Sequence, residues 1–373
     1  MKITGAVLEV SGAEAPFAAS RPFTVGELDL DPPRSGELLV RIEAAGVCHS
    51  DLSVVDGNRV RPVPMLLGHE AAGVVEQAGD GVDDIAPGDR VVMTFLPRCG
   101  ECEGCRTDGR LPCVPGSASN TAGTLLGGGI RLHRSVRGAG SPAQDVHHHL
   151  GVSAFATHAV VNRASVVPVD PDVPPEIAAL LGCAVLTGGG AVINAGRPAP
   201  GDRVVVVGLG GVGMAALLVA TALGHEVVGV DAVPAKLAMA RECGAVDALA
   251  PADALDRGIR APLVVEAAGA ARAFETALEL TAPGGTTVTV GLPAPDARAS
   301  VSPLVLTAQA RTIVGSYLGS AVPRRDIPRY VDLWRAGRLP LERLVSSRIA
   351  LDDLDAAMDR LAAGGELRQL ITF

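Results

Sequence analysis

Residues 204–231 read VVVVGLGGVGMAALLVATALGHEVVGVD. Val204–Gly208 is an almost unbroken apolar run, the pattern of a strand buried on both faces. Gly208-Leu209-Gly210-Gly211-Val212-Gly213 follows as a G-x-G-x-x-G. Residues 214–223 are rich in Ala, Leu and Met, lack Pro, and predict a helix. A second apolar strand, Val227–Val230, ends on Asp231. In such a unit Gly208 permits a tight turn, Gly210 lets the backbone approach a pyrophosphate, and Gly213 lets the helix lie against the strand. The helix start, with Gly211 and Val212, offers free N–H groups and the positive end of the helix dipole to phosphates. Asp231, 21 residues past Gly210, is placed to take both hydroxyls of an adenosine ribose. A carboxylate there repels a 2′-phosphate, which favours NAD over NADP.

The 373 residues allow two domains, each with its own core. Apolar residues make up 48% of the chain, so it is expected to be globular, and with six Phe, two Tyr and one Trp that core must be built of Val, Leu, Ile and Ala. A net charge of −9 with no basic run argues against nucleic acid or an anionic membrane as partner. MKITGAVLEV starts as a strand and lacks signal-peptide design, and no segment has the uninterrupted apolar length of a membrane span, so a cytoplasmic location is expected. Cys clusters in a reducing compartment point to metal or catalysis before disulfides.

Residues 1–45 predict short strands and turns, including an apolar strand over 37–44. Gly46-Val47-Cys48-His49-Ser50-Asp51 follows, and Gly68-His69-Glu70 places a His 21 residues beyond Cys48. Thiolate, imidazole and a nearby carboxylate suit zinc, though one Cys and one His are equally compatible with a core loop. Cys183 is a candidate third ligand that spacing alone cannot bring to the other two. Cys99-Gly100-Glu101-Cys102-Glu103-Gly104-Cys105 and Cys113 suit a closed tetrahedral Cys₄ zinc site that ties down a loop and does no chemistry. Residues 114–146 have weak periodicity and read as a long surface loop. His147-His148-His149 precedes an expected strand over 150–155; neighbours on a strand face opposite ways, so these His are read as structural or surface groups. Residues 176–195 predict a helical stretch interrupted at Thr187-Gly188-Gly189-Gly190. Beyond residue 203 come a helix over 234–243, a strand over 263–266, a helix over 271–281 and a strand over 286–291, the rhythm of a parallel doubly wound sheet. Cys243 is read as a small apolar filler. Helices over 327–336 and 352–363 precede a last strand, 368–373, expected to rejoin the first domain.

In the order and spacing of Gly46–Asp51, Gly68–Gly73, the four-Cys loop, 150–155, Gly182-Cys183, Gly208–Gly213 and 366–373, the chain resembles the zinc-dependent medium-chain alcohol dehydrogenases from about residue 3 to Phe373. Within them it looks closest to the longer branch of liver alcohol and formaldehyde dehydrogenases. The resemblance implies an α/β fold in which a Rossmann doubly wound parallel sheet, 185–317, is inserted in a β-rich GroES-like catalytic domain, 1–184 and 318–373. It implies two zinc ions per chain and NAD. Cys48, His69 and Cys183 match the catalytic zinc ligands, and Cys99, Cys102, Cys105 and Cys113 the structural ones. Glu70 matches a carboxylate behind the zinc, Asp51 the acid that orients His69, and Ser50 the hydroxyl that takes the substrate proton. His49 and Arg368 match cations at the cofactor pyrophosphate, Lys236 a ribose contact, and Thr187, Val212 and Leu292 groups lining the cofactor. Arg59, Phe95, Leu292 and Tyr317 match the substrate pocket. The implied reaction passes a hydride between a primary or secondary alcohol with an apolar or aromatic reacting end and NAD, reversibly, with an alcohol or aldehyde as the small-molecule partner. A homodimer is favoured, with a tetramer as the variant.

Four departures stand out. Ser53 occupies the place of a proton-relaying His, His49 that of an Arg, and Gly189 that of an aromatic, which is expected to free space near the cofactor. Arg59 at the pocket mouth favours a substrate with an anionic or polar tail. Two alternatives accompany this reading: thiol-adduct formaldehyde oxidation, disfavoured by Arg59 at the mouth, and a redox-silent cofactor-binding relative, disfavoured by the intact ligand set and Ser50.

Overall fold

In the computed structural model, which describes residues 1–135 and 143–373, the chain divides into two compact units. The first comprises residues 1–107, 112–183 and 345–373, and the second residues 108–111 and 184–344. Residues 318–344, expected with the split unit, pack in the second; Ile327, Tyr330 and Val331 of the amphipathic helix Pro323–Arg335 are buried there.

The first unit is β-rich. Lys2–Leu8, Phe23–Leu30, Leu132–Arg134, Gln144–His148 and Met65–Leu66 close a small barrel. A second sheet runs in the order Val166–Val169, Arg90–Met93, Glu70–Ala78, Glu37–Val47, Arg368–Thr372, Val345–Ile349. Its central strand, Glu37–Val47, is buried along most of its length, as its Leu, Val, Ile and Ala content requires. The chain's last strand pairs antiparallel with it, Leu370 opposite Gly46, so the C-terminus does rejoin this unit. Gly46 also faces Glu70 on the other side. The starts of strands Glu70–Ala78 and Arg368–Thr372 therefore flank the end of strand Glu37–Val47, and Cys48 follows at that end.

The second unit is a six-stranded parallel sheet ordered Asp247–Leu249, Glu226–Val230, Arg203–Val207, Ala261–Glu266, Thr281–Thr289, Thr312–Gly315. In sequence terms this is 3-2-1-4-5-6, the doubly wound order, with the reversal beside Arg203–Val207. Helices Pro234–Glu242 and Ala271–Leu280 stand where the apolar rhythm puts them.

Three expectations need correction. The 114–146 segment is not a long loop: it holds helix Val114–Ala122 and strands Leu132–Arg134 and Gln144–His148, while 136–142 lie outside the described residues. Its small polar residues carry little periodicity, and tertiary contacts supply the order: Asn120 Nδ2 donates to the Phe95 carbonyl at 2.7 Å. The strand expected over 150–155 lies earlier, at Gln144–His148, because Leu150, Gly151 and Ser153 take positive φ of 52°, 67° and 55° and turn the chain. The Thr187–Gly190 glycines do not interrupt the helix. Helical structure runs from Pro175 to Gly196 with wide turns at Leu181–Val185 and Ala191–Gly196. A Cβ at Gly188 would lie 2.2 Å from the Val212 carbonyl oxygen, so these glycines serve close helix packing. This 22-residue run is long and apolar enough to cross a membrane, yet 89% of its apolar window is buried within the protein, as in a globular core helix.

Candidate active site

Cys48 caps helix His49–Val55, and Asp51, in the first turn, accepts the Cys48 N–H at 3.1 Å. The same carboxylate accepts the Gly68 N–H and the His69 Nδ1–H, each at 3.1 Å on Oδ1. A local helix-capping residue thus fixes a ring 18 positions away, which leaves His69 Nε2 as the ring's lone-pair nitrogen. Cys183 arrives on the wide helical turn Leu181–Val185, its Sγ 3.4 Å from His69 Nε2. Gly182 makes this approach possible, since a Cβ there would sit 1.9 Å from the Met93 carbonyl oxygen. Cys48, His69 and Cys183 are all buried, with their donor atoms within 4.8 Å of one another. Two thiols and an imidazole lone pair at this separation fit a tetrahedral zinc ion, for which neighbouring S and N ligands lie about 3.5 Å apart. Phe95 packs edge-on against His69, ring centroids 5.6 Å apart.

Behind the cluster lies a buried ion pair. Arg368 Nε is 3.1 Å from both Glu70 oxygens, and Nη2 is 3.6 Å from Cys48 Sγ. Arg368, expected at the cofactor pyrophosphate, is 2% exposed, and its guanidinium pairs with Glu70. The strand register explains the pairing, because Gly46 leaves room for the Glu70 side chain; a Cβ there would be 2.9 Å from Oε1. Hydrogen bonding from Cys183, aided by Arg368 and His69, holds the Cys48 thiol well below its ordinary range against burial. Cys183, bonded to that thiolate and buried, is pushed well up. Burial pushes Glu70 up to about 7, with Arg368 opposing and Cys48 adding. Burial works against a charge on His69, but Asp51 and Cys48 outweigh it and raise its affinity for a proton. An electron-rich donor set of this kind, buried and unable to discharge to water, is built for a cation.

Ser50 lies half-buried in the first turn of the same helix, and His49 is exposed. The Ser53 hydroxyl donates to the His49 carbonyl at 2.8 Å, so its proton is committed to the backbone. Arg59 is half-buried just past this helix, its N–H bonded to the Ser53 carbonyl.

The four-Cys loop closes on itself. Cys99 and Cys105 Sγ are 3.9 Å apart and Cys102 and Cys113 Sγ 4.0 Å, close to the roughly 3.8 Å edge of a tetrahedral zinc–thiolate site. None of the seven cysteines forms a disulfide.

In the second unit, Gly208 takes φ of +91°, and a Cβ at Gly213 would lie 1.7 Å from the Gly208 carbonyl oxygen. Gly210 caps helix Gly211–Ala222, and a Cβ there would meet no protein atom within 4 Å. This cradle fits a pyrophosphate. Asp231 accepts the Leu209 N–H at 2.7 Å and the Val233 N–H at 2.9 Å, with Lys236 Nζ 4.0 Å away. Thr187 and Val212 sit on helices in close contact, while Leu292 and Tyr317 are 48% and 38% exposed. The space expected to be free at Gly189 is filled: a Cβ there would be 2.7 Å from the ring of Tyr330, which is buried.

The sequence reading missed one residue at the first site. His149, placed among structural or surface histidines, is 1% exposed with Nδ1 3.1 Å from Asp51 Oδ1. Nothing local announces it; the turn at Leu150–Ser153 aims it there. His148 is buried as well, accepting the Arg131 N–H at 3.1 Å.

The family described as alcohol dehydrogenase GroES-like domain matches residues 34–171, and that described as zinc-binding dehydrogenase matches residues 211–336. The NDMA-dependent alcohol dehydrogenase of Amycolatopsis methanolica is 36% identical over 100% of this chain and 99% of its own. The crystal structure of an alcohol dehydrogenase zinc-binding domain protein from Burkholderia ambifaria superposes with a TM-score of 0.91 at 32% identity, covering 100% and 99% of the two chains. That of benzyl alcohol dehydrogenase from Acinetobacter calcoaceticus gives a TM-score of 0.89 at 30% identity, with the same coverage.

Proposed function

The chain belongs to the zinc-dependent medium-chain alcohol dehydrogenase family, and from that premise we propose that this alcohol oxidoreductase uses NAD as hydride acceptor for a primary or secondary alcohol, one zinc ion at Cys48, His69 and Cys183 and a second at the four cysteines. The observation that carries the proposal is the buried donor set Cys48–His69–Cys183 with Asp51 fixing the imidazole and Glu70–Arg368 behind it. When bound, zinc supplies Lewis acidity toward an alcohol oxygen and NAD supplies the hydride acceptor.

The chain's own residues do the rest. Asp51 holds His69 with its lone pair toward the cluster. Arg368 balances the charge of Glu70 and the Cys48 thiolate. Phe95 and the apolar strand ends exclude water beside the cluster. The Ser50 hydroxyl accepts the substrate proton, and with Ser53 committed to the His49 carbonyl the proton leaves through His49 or water. Gly208–Gly213 receives the cofactor pyrophosphate, Asp231 and Lys236 its adenosine ribose, and Thr187, Val212 and Leu292 its nicotinamide end. Arg59 selects an anionic or polar tail at the far end of the substrate, and the resemblance assigns Phe95, Leu292 and Tyr317 to its reacting end. A homodimer and a cytoplasmic location complete the reading.

The test is zinc per chain on protein purified without added metal, beside initial rates with NAD, NADP and NDMA on aliphatic, benzylic and anionic-tailed alcohols. Two zinc ions with NAD-dependent oxidation support the reading. Turnover with NDMA alone moves the acceptor to the one that the A. methanolica relative's name carries. One zinc without turnover ends it. An unchanged preference between anionic and neutral alcohols in Arg59→Ala removes the role of Arg59.

A further inference from the structure

The geometry points to His149 as a positioning residue for the zinc ligand His69, acting through the Asp51 carboxylate that both rings face. This rests on the reading of Cys48, His69 and Cys183 as a zinc site. Asp51 Oδ1 is 3.1 Å from Nδ1 of His69 and 3.1 Å from Nδ1 of His149. The two imidazoles stand edge to face, centroids 5.5 Å apart and planes at 89°. A ring nitrogen this close to a carboxylate oxygen must carry its hydrogen, because two lone pairs repel. The approach is oblique, and among the described residues His149 Nδ1 has no in-line partner of its own. It is 1% exposed, and Asp51 Oδ1 at 3.1 Å is the acceptor against which it is set.

The placement is built rather than incidental. The His149 N–H donates to Ser153 Oγ at 2.9 Å, and the His149 carbonyl accepts from Val152 N at 3.1 Å and Ser153 N at 3.3 Å. Leu150, Gly151 and Ser153 hold positive φ to make this turn, a conformation that two of the three adopt only with strain. Asp51, His69 and His149 also have the composition of a cation site. Gly68 and His69 already donate to the shared oxygen, however, which makes it an acceptor of hydrogen bonds. With His149 in place, Asp51 is wedged between two rings and cannot rotate away from His69, and the ring orientation that aims Nε2 at the cluster is locked.

The test is zinc release to a colorimetric chelator, with the kinetic phase lost in Cys183→Ser assigned to the three-donor site. His149→Phe keeps a ring against His69 and removes the N–H; it should speed that phase about 10- to 100-fold and leave the four-Cys phase unchanged. His149→Asn, which restores an N–H near the Nδ1 position, should release zinc near the unsubstituted rate. Equal release by His149→Phe and the unsubstituted protein overturns the inference, as does His149→Asn behaving like His149→Phe, which would make the role one of packing. If the unsubstituted protein has no phase that Cys183→Ser removes, the zinc reading itself fails and the inference falls with it.

Discussion

Alanine at Gly210 and alanine at Gly213, three positions apart, should have opposite consequences. At Gly213 the new methyl would start 1.7 Å from the Gly208 carbonyl oxygen, about 1.7 Å short of an ordinary contact. Both partners are backbone, so the helix must move off the strand. Overpacking of this kind costs about 3 kcal/mol or more, roughly 6–12 °C in Tm for a unit of this size. At Gly210 the backbone, φ −74° and ψ −172°, suits alanine, and the methyl meets no protein atom within 4 Å. Stability should change by less than about 1 kcal/mol. The methyl instead occupies the line of approach of a pyrophosphate, and NADH affinity should fall at least about 100-fold, equivalent to about 2.7 kcal/mol. Thermal unfolding without cofactor and NADH fluorescence titration separate the two effects. Wild-type NADH affinity in Gly210→Ala, or a wild-type Tm in Gly213→Ala, would refute the reasoning.

Three further outcomes are expected. Arg368→Met should lose about 1–3 kcal/mol in urea unfolding because Glu70, at 0% exposure and already pushed up to about 7 by burial, loses its counter-charge and must take up a proton, and Glu70→Gln in the same chain should restore part of it; a single-variant loss under about 1 kcal/mol argues against the buried pair. His148 is held neutral down to about 3 by burial, with Arg131 adding, whereas the unfolded chain takes its proton near 6.5. Its contribution is therefore present above pH 6.5 and lost as pH falls toward 3, at about 1.4 kcal/mol per unit, and His148→Gln should flatten the stability–pH profile in that window relative to the unsubstituted protein. Asp231→Asn removes one of two acceptors used by the Leu209 and Val233 N–H groups and the charge that repels a 2′-phosphate; kcat/KM for NAD over NADP should fall at least about tenfold, and an unchanged ratio assigns the discrimination elsewhere.

The sequence by itself determined whatever is governed by local backbone geometry. The G-x-G-x-x-G is legible because each glycine answers a nearby demand: a positive φ at Gly208, an open approach at Gly210, a 1.7 Å clearance at Gly213. The four-Cys loop is legible for the same reason, since the cysteines whose sulfurs meet lie within 14 positions of one another. The parallel sheet follows from the alternation of apolar runs and helices between residues 203 and 315. Resemblance brought Cys183 to Cys48 and His69, but the means of doing so lies in tertiary packing, where Gly182 slides under the Met93 carbonyl. Arg368 and Glu70 are 298 residues apart, and only the register of two strands on either side of Gly46 brings them together as a buried ion pair. Gly189 reads as a vacancy until Tyr330, from another helix, occupies it. His149 reads as one of three equivalent histidines until a turn of left-handed residues aims it at Asp51. Side-chain direction and partner are long-range properties, set by which surfaces pack together, and no window of sequence contains both members of such a pair.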